Sequence, residues 1–167
     1  MSAMVQNLTA ALAGKLSGEL IIFIISMIPV LELRGGLLAA SPALLDVPIL
    51  RAIPICIAGN ILPIPFILLL IERVLDFMEG KPGLGRFASW LRARADKHKG
   101  QVERYGFWGL LFFVGIPLPG TGAWTGSMIA ALLHMRRRQS VPAILLGIIL
   151  ATVIMSIVSY GLLGALV

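Results

Sequence analysis

From Phe107 to Leu133 the chain carries no charged residue, and two other long stretches are nearly as bare. The charges crowd instead into 72–104 and 134–138. This segregation constrains the fold more than any single motif. A run of ~20 apolar residues can cross a bilayer as a helix, and four segments are long enough: about 18–40, 48–71, 106–133 and 141–167. Only 13% of the 167 residues are charged and the mean hydropathy is +0.95, where a soluble domain carries roughly 25% charge. Backbone polar groups in lipid must find partners inside the chain, and the Ile/Leu/Ala-rich runs lack the period-two alternation of a membrane barrel. The expected fold is therefore an all-α integral membrane protein, one membrane domain spanning 1–167.

The remaining composition narrows the function. A net charge of +6 suits cytoplasmic loops that orient a membrane protein, and no nucleic-acid partner is inferred from it. The single cysteine, Cys56, excludes an intrachain disulfide and the common Cys-based metal patterns. His98 and His134 lack companions at metal-ligand spacing. There is no nucleophile–base arrangement, phosphate loop or paired acid set, so neither an enzyme nor a cofactor is expected. The N-terminus does not read as a secretory signal: its first positive charge is Lys15, and the apolar run 20–31 leads into Glu32 and Arg34.

Two segments read as uninterrupted helices, Pro48–Ile71 (kinked by Pro63 and Pro65) and Pro142–Val167. The other two are broken in the middle. One contains Ile28-Pro29-Val30-Leu31-Glu32-Leu33-Arg34-Gly35-Gly36, the other Gly115-Ile116-Pro117-Leu118-Pro119-Gly120-Thr121-Gly122. Prolines and clustered glycines stop helices, which places turns at Pro29, Gly35 and Gly36 and at Pro117, Pro119, Gly120 and Gly122. At a constant offset of 88 residues, Gly18 meets Gly106, Pro29 meets Pro117, Pro54 meets Pro142 and Gly59 meets Gly147. The chain thus reads as two copies of a broken segment followed by a spanning helix, repeat 1 over 18–72 and repeat 2 over 106–167. Internal repeats with discontinuous helices are a common transporter design.

Charge orients these pieces. Four full spans would put the basic loops 72–104 and 134–140 on opposite faces, against the positive-inside rule. If each broken segment is a re-entrant hairpin, both loops fall on one side and the repeats become inverted. Irregular backbone at membrane depth also requires cover by protein or water. Between the repeats, 73–105 is a basic connector. It is broken at Gly80-Lys81-Pro82-Gly83, and from Leu84 to Arg104 it has an amphipathic pattern. Leu84, Phe87, Trp90 or Leu91, and Ala95 fall near one face, suiting either the membrane interface or a solvated cytoplasmic linker.

Glu32 and Arg34 sit where a charge costs ~2.5–3.5 kcal/mol or more, so they point to a pathway or a proton relay. Desolvation disfavours the charged form of a carboxylate, which suits Glu32 to carry a proton. The competing role is a structural ion pair holding the turn. Asn60, one turn before Pro63, either satisfies carbonyls freed by the prolines or touches substrate. Thr121, Trp124, Thr125 and Ser127 supply the polarity of the second hairpin. Gly122 and Gly126 have the spacing of close helix packing, and backbone amides near Gly120 and Gly122 are candidates for binding an anion. Arg136-Arg137-Arg138 reads as a topology anchor, with anionic lipid as the alternative.

The first-break motif, paired with Pro117-Leu118-Pro119-Gly120-Thr121-Gly122-Ala123-Trp124-Thr125-Gly126, resembles the prokaryotic family of small multidrug export proteins. That family is distantly similar to the DedA superfamily of membrane transporters. The resemblance covers about residues 18–166 and implies two inverted re-entrant hairpins in the cytoplasmic (inner) membrane. It also implies a transport role, tied in the wider superfamily to the proton gradient and to the flipping of lipid carriers such as undecaprenyl phosphate. Glu32 matches the acidic position of the first hairpin. The expected function is a proton-coupled secondary transporter of a small or amphiphilic solute, its path lined by Glu32, Arg34, Asn60, Thr121, Trp124 and Thr125. The alternatives are a lipid flippase or scramblase and a non-transporting membrane scaffold. Membrane lipids, protons and a second copy of the chain, as in a homodimer, are the expected partners.

Overall fold

The computed structural model describes residues 2–81, 84–118 and 120–162, without the side chains of 2, 91, 94, 95, 97–99, 101–103 and 162. Pro82, Gly83 and Pro119, the chain end at 163–167 and the side chains of Leu91, Ala95 and His98 lie outside the described residues. The described chain is helical without a sheet. A helix that the sequence pattern does not announce, α1 (Ser2–Leu12), packs on the first hairpin and buries Val5 and Thr9.

The first broken segment is two short helices, α2 (Gly18–Met27) and α3 (Glu32–Ala40). Ser17 caps α2 by accepting the Leu20 amide at 3.3 Å, and Glu19 suits the positive end of the helix. Pro29 ends α2, because the residue before a proline is pushed out of helical geometry: Ile28 has φ −72 and ψ 127. The turn occupies 28–31, and α3 folds back along α2. Gly35 and Gly36, expected in the turn, are instead inside α3. A Cβ on Gly36 would run into Ser26 and Cys56, so glycine there lets the backbones close up.

The next segment divides at Leu62-Pro63 into α4 (Ile49–Ile61) and α5 (Ile64–Glu79). Pro63 and Pro65 lack the amide protons a continuous helix needs. The kink expected from Pro63 and Pro65 thus falls at Leu62-Pro63, and the one correction to the Pro48–Ile71 helix is its end, which runs on to Glu79. The boundary at 72–73 falls inside α5. Helix α6 (Leu84–Gly115) is interrupted at Gly106 (φ 52, ψ −121), which separates the basic connector from an apolar arm. Leu84, Phe87 and Trp90 are exposed on the connector, while Arg92 ties it to Asp76 and Glu79 of α5. Helix α7 (Ala123–Leu132) folds back along the arm. Helix α8 (Arg137–Ser156) passes into a π-helical turn, Ile157–Leu162. It begins at Arg137, not after Pro142, so two of the three consecutive arginines form its first turn.

The 88-residue offset is visible in backbone shape. Helices α4 and α8 start at 49 and 137, and the residues before them, Pro48 (φ −54, ψ 134) and Arg136 (φ −59, ψ 127), match. Two of the positive-φ positions recur at this offset, Glu32 (φ 50) with Gly120 (φ 91) and Asp46 (φ 49) with His134 (φ 50), whereas Gly14, Val30, Gly106 and Gly122 have no such counterpart. A Cβ built on Gly59 would lie 2.6 Å from the Phe23 carbonyl oxygen and 3.0 Å from the Ser26 Cβ. On Gly147 it would lie 2.8 Å from the Leu111 oxygen and 2.7 Å from the Val114 Cβ, the same contacts 88 residues on.

Most of the apolar surface of the long helices faces outward. The most apolar windows of 49–79 and 137–161 have mean hydropathies of 2.3 and 2.7, yet only 28% and 39% of their residues are buried. The core helix of a soluble protein would be mostly covered. Phe66, Leu69, Leu70, Val74 and Phe77 of α5 are all exposed, and hydrocarbon is the solvent in which such a face is stable.

Candidate functional site

The two breaks meet, and the charges of the first complete the backbone of the second. A helix leaves its first amides and last carbonyls without intrahelical partners. Helix α7 begins after Gly122, which has no side chain to cap it. Glu32 does so from 91 residues away: Oε2 accepts the Ala123 amide at 2.9 Å and Oε1 the Trp124 amide at 3.0 Å. Arg34 serves the opposite end of the break. Its Nη1 donates to the Leu118 carbonyl at 2.8 Å, and its Nη2 to the carbonyls of Val114 (3.3 Å) and Ile116 (3.2 Å) and to Thr121 Oγ1 (3.1 Å). Thr121 Oγ1 lies 2.9 Å from both the Ile116 and Leu118 oxygens and donates its one proton between them.

The signs are favourable as well. A carboxylate sits at the positive end of α7 and a guanidinium at the negative end of the α6 arm. Both residues are buried, 5% and 6% exposed, so these charge-assisted bonds offset a large desolvation cost. Glu32 reaches its partners from a left-handed backbone at φ 50, and Val30 beside it holds φ 81. L-residues reach this region at a cost of roughly 1–2 kcal/mol each, and strain of this kind clusters at functional sites. Gly122 (φ 139) faces the carboxylate so closely that a Cβ would strike both Glu32 oxygens. Its glycine serves this contact, while Gly126 packs on Val114 as its spacing predicts.

Above these bonds lies a cavity of about 900 Å³. Glu32, Arg34, Thr121, Trp124 and Thr125 all line it, so five of the six pathway candidates come together. Pro29, Pro117 and Gly120 of the turns line it too. Trp124 Nε1 is buried without a hydrogen-bond partner. Asn60 does not join them. It lies on the other side of Glu32 and Arg34, packed with Val114, Ile148 and Ala151, and its Oδ1 has no partner. Sequence reasoning missed Met4 from α1, Trp90 from the connector and Met155 from α8 in the cavity wall. The amphipathic pattern could have singled out Trp90; apolar residues such as the two methionines carry no comparable signal.

Amides near Gly120 and Gly122 are the sequence's candidates for an anion; the amides just beyond them, of Ala123 and Trp124, are taken by the Glu32 carboxylate. Among the described residues no His, Cys, Asp and Glu group is arranged to bind a metal ion.

Apolar helices facing outward around a buried pair of interlocked breaks define a helical membrane protein. Residues 32–154 match the family described as "Putative small multi-drug export protein", and the chain belongs to that family. The match begins at Glu32 and includes Ala123 and Trp124, whose amides its carboxylate accepts. No curated protein and no solved structure matches the chain.

Proposed function

We propose that the protein is a multi-pass, proton-coupled secondary transporter of the prokaryotic cytoplasmic membrane, translocating a small or amphiphilic solute through the cavity at the two breaks. The observation that carries this reading is the position of Glu32. It is the acidic lining residue of a cavity of about 900 Å³, and its carboxylate is also the cap of α7. Protonation at one oxygen removes an acceptor from an amide of α7 and loosens the second hairpin. Deprotonation restores the cap. A proton is thereby linked to the seam between the two halves of the chain.

The bilayer placement rests on lengths and packing. Helices α2, α3 and α7 have 10, 9 and 10 residues, about 15 Å each at 1.5 Å per residue, half of a hydrocarbon core of ~30 Å. Each pair folds back on itself, which supports re-entrant hairpins entering from opposite faces as inverted repeats. The guanidinium of Arg34 is engaged by three carbonyls and a hydroxyl, which favours a solute over a lipid-carrier phosphate in this cavity.

The test is flux in proteoliposomes under an imposed pH gradient, with ethidium as the probe solute and a fluorescent headgroup-labelled lipid in parallel. Solute movement that follows the gradient and vanishes in Glu32→Gln supports the proposal. Movement unchanged in Glu32→Gln removes the proton role. Lipid translocation without solute flux establishes the flippase. The capping geometry also suits a scaffold whose hairpins lock together, and the absence of either flux from the folded protein would select that reading.

A further inference from the structure

A second site lies away from the breaks, at the first turn of α8. A cavity of about 360 Å³ opens there, with Glu72, Arg73, His134, Arg137 and Ser140 forming its polar side. The local electrostatics are unbalanced. Arg136 precedes α8 and Arg137 and Arg138 begin it, with no acidic residue in the first turn and no side-chain cap. Cations at this end oppose the helix dipole, whereas an anion is favoured by both dipole and free amides. Glu72, 3.4 Å from His134 Nδ1 through its Oε1, is one carboxylate against the two arginines of the cavity, Arg73 and Arg137, and leaves a net positive charge. Neither Arg73 nor Arg137 has an ion pair among the described residues. The independent sign of a ligand is Ser140: it lines the cavity, is fully buried, and its Oγ has no hydrogen-bond partner. A buried hydroxyl left unpaired is costly.

The geometry points to a binding site for the phosphate group of an anionic phospholipid, held by Arg73, Arg137, Ser140 and the first amides of α8. The other wall identifies the lipid as the source of that phosphate. Leu68 and Leu69 line the same cavity, and Leu69 continues onto the exposed apolar face of α5. A headgroup phosphate in the polar pocket would lay its acyl chains along that face, whereas free phosphate has no use for it. Two arginines and a hydroxyl around one phosphate make charge-assisted bonds, and basic pockets beside membrane helices bind anionic headgroups in this manner.

The test uses the full-length protein in nanodiscs of phosphatidylcholine, titrated with phosphatidylglycerol and read by native mass spectrometry. Arg137→Gln should weaken phosphatidylglycerol binding about tenfold, the loss expected for one charge-assisted bond. Ser140→Ala should weaken it severalfold with no change of charge. Arg138→Gln removes the same charge from a residue outside the cavity and should have little effect. Equal losses in Arg137→Gln and Arg138→Gln would reduce the effect to surface charge and overturn the site. Unchanged affinity in both Arg137→Gln and Ser140→Ala would overturn it as well. Inorganic phosphate that displaces the lipid at comparable concentration would overturn the lipid assignment in favour of the free anion.

Discussion

Glu32, Arg34 and Gly122 form one unit, and each fails in a different way. Gly122→Ala combines a backbone that L-residues rarely adopt with a Cβ driven into the Glu32 carboxylate. It should cost roughly 2–4 kcal/mol of stability, measured by thermal unfolding in detergent. Arg34→Lys keeps the charge but concentrates its donors on one nitrogen, which cannot reach the carbonyls of Val114, Ile116 and Leu118 together. A loss of roughly 1–3 kcal/mol is expected. Glu32→Gln keeps one acceptor oxygen for two amides and sets its NH2 against the other, so it should fold with a loss of roughly 1.5–3 kcal/mol. Rarity of charge in an apolar stretch marked Glu32 and Arg34 as special. It did not tell that they act across the chain, because their partners are mostly backbone groups, which every residue carries.

Between elements, the contacts that matter are closest approaches without side chains. Gly59 and Gly147 hold equivalent places 88 residues apart, each against a carbonyl oxygen of the neighbouring hairpin helix. Gly59→Ala and Gly147→Ala should therefore destabilise by similar amounts, roughly 1–3 kcal/mol each. At Gly100, in the connector, a methyl group would meet no atom within 4 Å, and Gly100→Ala should stabilise by up to about 1 kcal/mol through helix propensity alone. A loss at Gly100 matching that at Gly59 and Gly147 would mean that helix approach is not what these glycines serve. The prolines announced where helices stop, since their effect on backbone geometry is local. Gly36 does not sit in the turn its sequence context suggests, because a glycine that permits close packing and one that permits a turn look alike in sequence. Only the neighbours Ser26 and Cys56 distinguish them.

For the whole molecule, the side on which the two basic loops lie decides how it sits in the bilayer. Ser89 and Gln139 are both exposed, so the membrane side alone governs access of an impermeant reagent. With Cys56 replaced by alanine, Ser89→Cys and Gln139→Cys should both label only from the cytoplasmic side. Labelling from opposite sides would make the second break a full crossing and end the re-entrant proposal.

Charge segregation and hydropathy alone determined that this chain is a helical membrane protein, because the choice of solvent acts on every residue and sums along the sequence. Proline and glycine marked the two breaks, and their recurrence at one offset has counterparts in the backbone at Pro48 and Arg136 and in the contacts of Gly59 and Gly147. Tertiary structure decided what the breaks are for. It brought Glu32 to the start of α7 and Arg34 to the end of the α6 arm, set Asn60 behind them, and walled the cavity partly with α1 and the connector. Those arrangements depend on which helix ends meet in space, and unpaired backbone amides and carbonyls become distinguishable only when a charge 80 or 91 residues away reaches them.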